Sequence, residues 1–291
     1  MARTNTNPHG IGNLVVKINQ AFENKFGKKL VVEETGEINN IPDITFDNKT
    51  HDVSSELGQP YGMVSNGEKL IVADFNNYNL YQYDFSVPWG LTELFDYDGV
   101  SYDILDQGQA PTDMATNGET LLVDTFDGLH QYSMDPWDLS TLSYDGNSFQ
   151  FSESSAVSGI ASDGDTLIAR GEDSKFIEYE FGESWDLSTL SYTGTEVDSF
   201  NENEERNPCY SDGDVLLTTV SLNSQGYVRQ YDFGAKWDLS TLSYSGLDLP
   251  VGREPSGLVS NGRVMIVADA TGIDLRRYSY DSKLVLPQKQ R

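Results

Sequence analysis

One phrase recurs along this chain and constrains its fold more than any other feature. The motif WDLSTLSY starts at Trp137, Trp185 and Trp237, and a degraded copy, WGLTELFDY, starts at Trp89. These are the only four tryptophans among the 291 residues. Internal repeats with a period of about 20 to 50 residues are typical of solenoids, propellers and arrays. The repeat therefore predicts a modular architecture.

Each repeat begins with a tight-turn signal. Asn-Gly or Asp-Gly dipeptides begin at positions 66, 117, 163, 212 and 261, about 49 residues apart. Such dipeptides between apolar runs predict hairpins with type I′ turns, in which both central residues have positive φ. A continuous apolar run follows, as at 70–73, then an alternating run, as at 80–85, then the Trp phrase and a fourth strand, as at 143–151. Four antiparallel strands per repeat predict an all-β, five-bladed β-propeller.

The last repeat lacks a fourth strand, and a matching segment lies near the N-terminus. ITFDNKTHDV at 44–53 aligns with LSYDGNSFQF at 142–151, so that Phe46 falls on Tyr144 and Val53 on Phe151. An N-terminal strand that completes the last blade would close the ring and leave no open blade. The predicted division is residues 1–42 as an N-terminal segment and 43–291 as the propeller.

The tryptophans are expected in the turn between the third and outermost strands. There a large flat side chain can fill space against the neighbouring blade, while Asp and Ser-Thr cap the turn with side-chain hydrogen bonds. A ligand-stacking role is the alternative.

The N-terminal segment has a different pattern from the repeats. Apolar residues at helical spacing predict an amphipathic helix of about four turns, and the candidate attachment residues on it are Leu14, Val15, Ile18, Phe22 and Phe26. We expect this helix to attach the chain to other proteins or to copies of itself. A helix packed on the propeller's own edge is the alternative.

Charge limits the partners. With 46 acidic and 19 basic residues the net charge is −27, which argues against nucleic acid and anionic membranes as partners. Such an excess is either an ordinary soluble surface or an adaptation to concentrated salt, which screens self-repulsion. No signal-peptide h-region and no membrane-spanning apolar stretch occur. We expect synthesis in the host cytoplasm, no signal-peptide secretion and no membrane insertion.

Residues for catalysis or metal binding are few. The three histidines, His9, His51 and His130, have no metal-ligand partner at i+2 or i+4, and the single cysteine, Cys209, reads as a small buried residue. No GxSxG, HExxH or Walker motif is present. The sequence thus predicts no enzymatic activity, no catalytic residue and no cofactor. Calcium is the alternative, because loops such as 95–103 and 162–165 are rich in oxygen ligands, although none matches an EF-hand.

Candidate ligand residues lie in the loops between second and third strands. Together with the loops leading into the first strands, they gather on one face around the central channel, and they differ from blade to blade as a recognition surface requires. Exposed Tyr78 and Phe126 could stack on sugar rings while polar groups bind hydroxyls; ordinary polar turns are the alternative. The candidates are Asp74, Asn77, Tyr78, Asp124, Phe126, Asp127, Arg170, Asp173, Asn223, Gln225 and Asp269.

With the repeat written as P-x-G-[IML]-x-[ST]-[ND]-G-x-x-L-[IL]-V followed by YxYDF and WDLSTLSYDGxSF, the chain resembles repeats of tail and adhesion proteins of tailed viruses, and more loosely NHL-type propellers. The resemblance covers roughly residues 43–285, and the acidic composition resembles that of haloarchaeal viruses. It implies a virion structural protein, as a tail fibre, baseplate spike or capsid-vertex decoration. It further implies binding to a host-surface glycan or glycoprotein, and a homo-oligomer, trimeric or pentameric. A cellular lectin or scaffold and a carboxylate-based lyase or hydrolase are the alternatives.

Overall fold

The chain folds into five antiparallel sheets of four strands each. The structure, a computed structural model, describes residues 44–91, 95–154, 156–171, 173–199, 208–222 and 224–280. Five sheets that contact one another in a ring through their first strands form a β-propeller. The predicted all-β, five-bladed fold is confirmed.

Blades 1 to 4 each use four consecutive strands, from the innermost to the outermost. Blade 1 contains β2 (Pro60–Ser65), β3 (Lys69–Asp74), β4 (Asn79–Phe85) and β5 (Phe95–Asp103). Blade 2 contains β6 (Asp113–Thr116), β7 (Thr120–Thr125), β8 (Gly128–Asp135) and β9 (Asp138–Phe149). Blade 3 contains β10 (Val157–Ser162), β11 (Thr166–Gly171), β12 (Lys175–Phe181) and β13 (Leu190–Asp198). Blade 4 contains β14 (Cys209–Ser211), β15 (Val215–Leu222), β16 (Gln225–Phe233) and β17 (Leu242–Gly252).

Blade 5 is completed from the other end of the chain. It contains β18 (Pro255–Ser260), β19 (Val264–Asp269), β20 (Asp274–Tyr280) and, as its outermost strand, β1 (Ile44–Asp52). Phe46 pairs with Tyr278 in this blade as Tyr144 pairs with Tyr132 in blade 2. The predicted closing strand and its alignment are therefore confirmed.

The ring is closed by apolar packing at every blade interface. Five clusters of buried apolar residues each join two neighbouring blades. At the junction of blades 5 and 1, Ile266 and Ala268 pack with Leu70 and Val72. Because both faces of each second strand are covered in this way, its sequence is mostly apolar.

The hairpin turns differ in detail from the expected type I′ geometry. In blade 1 the glycine of the dipeptide, Gly67, has φ of 89°, whereas Asn66 does not have positive φ. The Asn66 side chain instead accepts hydrogen bonds from the backbone N–H groups of Glu68 and Lys69, at 2.9 and 2.8 Å. Asp163 and Asp212 do the same in blades 3 and 4. Asn and Asp therefore act here as side-chain acceptors rather than as tolerated positive-φ residues.

Each tryptophan packs on the turn of its own blade. All four have φ between 55° and 61°, and each backbone N–H donates to the carbonyl of the turn glycine, at 2.9 Å from Trp89 to Gly67 and 3.0 Å from Trp185 to Gly164. A Cβ on either glycine would overlap the indole ring. The predicted position between third and fourth strands is confirmed, and the partly buried indoles also pack against the apolar clusters that join each of these blades to the preceding one, as predicted.

The leucine of the phrase also reaches the neighbouring blade. The Leu187 N–H donates to the side-chain oxygen of Gln131 in the preceding blade, at 2.6 Å, and the Leu239 N–H donates to Glu178, at 2.9 Å. Asp186 accepts from the Ser188 N–H at 3.0 Å and caps the turn as predicted. The phrase therefore donates one backbone N–H to the preceding blade at each of the junctions of blades 1 and 2, 2 and 3, and 3 and 4.

Residues 1–42, with the attachment residues Leu14, Val15, Ile18, Phe22 and Phe26, lie outside the described residues. The predicted boundary after residue 42 and the attachment role stay predictions. Among the residues that the structure describes, no helix has the length and apolar character needed to cross a membrane.

Candidate recognition face

Two sets of loops meet on the face where the first strands begin. In blade 1 the carboxylate of Asp74, at the end of the second strand, accepts hydrogen bonds from the N–H groups of Gly58 and Gln59 in the loop that leads into the first strand, at 2.8 and 3.1 Å. It also accepts from the Asn76 N–H and the Asn77 side-chain amide, at 3.0 and 2.6 Å. One carboxylate thus ties the two loops of this blade together.

Asp269 has the same position in blade 5. Its carboxylate accepts from the N–H groups of Thr271 and Gly272, at 3.1 and 3.0 Å, and forms an ion pair with Arg276 at 3.0 Å. A weaker 3.4 Å bond comes from the Arg253 N–H in the neighbouring loop. Asp74 and Asp269 therefore hold the loops of this face in position through hydrogen bonds.

Four of the predicted ligand residues are buried. Asp74, Asp124 and Arg170 are 0% exposed and Asp269 is 2% exposed. The physical reason is that each lies within a second strand, which is covered on both sides by neighbouring blades. Because these four side chains are buried, none of them is exposed to a ligand at this surface. Their predicted role in ligand binding stays a prediction.

Asp124 and Arg170 each contact a side chain of their own blade. Asp124 Oδ2 accepts from the Thr112 hydroxyl at 2.5 Å, and Asp124 Oδ1 has no hydrogen-bond partner among the described residues. Burial, together with the nearby Asp113 carboxylate, raises the pKa of Asp124 well above its usual range. The Arg170 guanidinium lies over the Phe176 ring, 5.3 Å from its centroid.

The exposed candidates are divided among the loops of four blades. Asn77, Asp127, Asp173 and Gln225 are exposed, and Phe126 is 46% exposed as predicted. Tyr78, which was expected to be exposed, is partly buried because it packs against the apolar cluster between blades 1 and 2. Asn223 lies outside the described residues.

A row of three aromatic rings runs from the inner strand of blade 1 to the surface of blade 2. Phe126 contacts Phe75 edge to face, with centroids 5.6 Å apart, and Phe75 stacks on buried Tyr61 at 4.8 Å. Exposed Asn77 follows Phe75 in the same loop, and exposed Asp127 follows Phe126. Sequence reasoning missed Phe75 and Tyr61, although Phe75, like Phe126, directly follows a second strand.

Asp113 closes the channel at this face, and sequence reasoning missed it too. It occupies the position that Gly62 and Gly257 hold in blades 1 and 5, where the inner strands approach so closely that a Cβ would overlap the next backbone. Its Oδ2 accepts from the N–H groups of Ile160 in blade 3 and Cys209 in blade 4, at 2.9 and 2.8 Å. The available signal was an Asp in place of Gly in the repeated P-x-G pattern.

Burial is the main influence on the pKa values of the groups that close the channel. It raises the pKa of Asp113 to about 7, although N–H groups of Cys209, Ile160 and Met114 act in the opposite direction. Burial also raises the pKa of the Cys209 thiol to about 12, so this thiol is neutral and unreactive near neutral pH. The predicted buried position of Cys209 is confirmed.

The two described histidines are framework residues. His51 contacts Phe95 edge to face at 4.9 Å, and His130 is 5% exposed beside Tyr144. Burial lowers the pKa of both imidazoles. No group of three or more His, Cys, Asp or Glu that could hold a metal ion occurs within the described part of the chain.

Comparison with known proteins shows the fold and little more. No protein-family model matches the chain, and no curated protein matches its sequence. The glutaminyl cyclase of Myxococcus xanthus matches in structure with a TM-score of 0.54 and 12% identity, over 82% of this chain and 96% of the cyclase. The proposed 6-phosphogluconolactonase of Bacteroides fragilis matches with a TM-score of 0.45 and 16% identity, over 78% of this chain and 68% of that one. The aldose sugar dehydrogenase of Streptomyces coelicolor matches with a TM-score of 0.44 and 8% identity, over 81% and 97%.

These similarities correct one prediction. The expectation of no enzymatic activity was based on unpartnered histidines and on the lack of GxSxG, HExxH and Walker motifs. It is wrong as an exclusion, because an enzyme, the Myxococcus cyclase, has this fold. The structural neighbours have mixed functions. At 12% identity the similarity shows the fold alone, so no residue role or substrate is carried over.

Proposed function

We propose that this chain is a recognition propeller whose loop face binds a glycan or glycoprotein, and that it is displayed on the surface of a virus particle. The observation that carries the binding proposal is the aromatic row that ends in exposed Phe126 beside exposed Asn77 and Asp127. An apolar ring face next to amide and carboxylate acceptors suits a sugar, which has an apolar C–H face and a rim of hydroxyl groups.

The rigidity of this surface supports the proposal. Phe126 donates its backbone N–H to the Gln109 carbonyl at 3.1 Å, and Asp127 Oδ2 accepts from the Gln109 N–H at 3.1 Å. These bonds tie the second-strand loop of blade 2 to the loop that leads into its first strand. A ring held in place before binding loses little conformational freedom when the ligand arrives.

Display on a virus particle is proposed from the sequence. The repeat resembles those of tail and adhesion proteins, and residues 1–42 carry the predicted attachment helix. The net charge of −27 suits a particle of a salt-loving host, because concentrated salt screens self-repulsion. The proposed partners are other virion proteins through residues 1–42 and a host-surface glycan or glycoprotein through the loop face.

The binding test compares two surface aromatics. Wild type, Phe126→Ala and Tyr192→Ala are applied to a glycan array and to host cells; Tyr192, 37% exposed on the outer strand of blade 3, controls for loss of an exposed ring. We expect Phe126→Ala to weaken binding at least about tenfold, or about 1.4 kcal/mol, and Tyr192→Ala to bind like wild type. Equal binding by all three proteins would place the recognition surface elsewhere.

A further inference from the structure

The opposite end of the channel forms a separate well. A cavity of about 160 Å³ lies among the first strands of the five blades, on the side of the Asn-Gly and Asp-Gly turns. Its deeper wall includes Met63, Met114, Ile160 and Cys209, one from each of four blades. This volume is close to the about 150 Å³ of an engineered apolar cavity that accepts benzene. The well therefore has room for one small apolar group.

The mouth of this well is a ring of five hydroxyl groups, one from each blade. Every hydroxyl donates its proton to a backbone carbonyl of its own hairpin, at 2.6 to 3.1 Å, and accepts the N–H of the turn glycine, at 2.9 to 3.1 Å. A hydroxyl has one proton and two lone pairs, so each oxygen keeps one lone pair. The members are Ser65, Thr116, Ser162, Ser211 and Ser260.

These hydroxyls consequently offer a ligand acceptors and no donors. Each proton is already fixed to a carbonyl, so the ring suits a ligand head group that carries N–H or O–H donors. The residues that line the well include no Lys, Arg or His that could bind an anion.

The charges around the mouth of the well also favour a ligand that carries donors and positive charge. The five hairpin turns that encircle it carry six carboxylates against two basic side chains, and Lys69 is paired with Asp84 at 2.6 Å. Such a concentration of one charge attracts cations and repels anions. The carboxylates are Glu68, Glu119, Asp163, Asp165, Asp212 and Asp214.

We propose that this well binds a small organic ammonium ion, with the apolar body in the cavity and the charged nitrogen at the hydroxyl ring. The cavity volume and its apolar wall suit the body of such a ligand. The acceptor lone pairs of the hydroxyl ring and the negative charge around the mouth suit its ammonium group. The site lies at the opposite end of the channel from Phe126, so it is independent of the proposed glycan binding.

The test is a titration with benzylammonium, whose benzene ring matches the volume of the cavity. Binding is monitored by calorimetry and by tryptophan fluorescence. Trp137 lines the well, so we expect a saturable change in tryptophan fluorescence. Trp137→Phe should remove this change and Trp185→Phe should keep it. Benzoate, with the same ring and opposite charge, and ethylammonium, with the same charge and a smaller body, should both bind at least tenfold more weakly. Equal binding of either control ligand would overturn the proposal.

A second test compares a variant that fills the well with a control variant that carries the same substitution elsewhere. Ala161→Leu places three more carbons in the cavity wall, whereas Ala235→Leu makes the same change at an exposed turn. We expect at least tenfold weaker benzylammonium binding in Ala161→Leu and wild-type binding in Ala235→Leu. If Ala161→Leu does not fold, the smaller change Ala115→Val tests the same wall. Unchanged affinity in a folded well-filling variant would refute the site.

Discussion

Asp113 should make the stability of the propeller depend on pH in a way that one substitution removes. Burial raises its pKa to about 7 in the folded chain, against 3.8 for an ordinary Asp. Between these values the folded chain holds a proton that the unfolded chain has lost, so the unfolding free energy falls as pH rises from about 4 to 7. At about 1.4 kcal/mol per pKa unit, this group lowers stability by about 4 kcal/mol over the window.

Urea unfolding of wild type and Asp113→Asn, followed by tryptophan fluorescence at several pH values from 4 to 8, measures this effect. Asn cannot ionise, and its different hydrogen bonding to the Ile160 and Cys209 N–H groups adds an offset that does not vary with pH. We expect the difference, variant minus wild type, to rise by up to about 4 kcal/mol between pH 4 and pH 8. Asp127→Asn, at an exposed position, controls for the loss of one charge. A difference for Asp113→Asn that is constant across this range would refute the reasoning.

Three further predictions concern the repeat and the charge. Gly164→Ala should destabilise the fold by about 1–3 kcal/mol more than Gly146→Ala in urea unfolding, since both glycines have positive φ but only the first would overlap a tryptophan; equal losses would contradict the Trp contact. Gln131→Leu should cost about 1–3 kcal/mol by leaving the Leu187 N–H unsatisfied. The double variant Gln131→Glu/Asp145→Thr, which copies the pair that blade 3 uses at positions 178 and 193, should recover most of the loss, because it avoids the two adjacent carboxylates that Gln131→Glu alone would create; no recovery would count against the hydrogen bond. With a net charge of −27, the Tm from differential scanning fluorimetry should rise between dilute buffer and molar KCl, and a flat profile would contradict salt adaptation.

The fold was predictable because the repeat carries the same physical signals five times. The turn dipeptides, the apolar second strands and the alignment of Phe46 with Tyr144 identified the blades and the closing strand. Conformation within the turns was not predictable. Positive φ at a tryptophan is rare, and only the structure shows that the indole covers its own turn glycine.

The candidate face was predictable in position and only partly in residues. Phe126, Asn77 and Asp127 were found because they interrupt the repeat in loops, and they are exposed. Asp74 was chosen on the same basis, but the last residue of a strand covered on both faces is buried, and polarity alone does not reveal this. Asp113 was missed because its partners, in blades 3 and 4, lie far away in sequence.

The most direct test of the proposed role is immunogold electron microscopy of purified virus particles from the source culture, with antibody to residues 44–280. Gold at a tail tip, a baseplate or the capsid vertices is the predicted result, and the labelled position would show which appendage the propeller forms. Unlabelled intact particles, with the protein found only in host cells, would contradict display on a virion and favour a cellular lectin or scaffold.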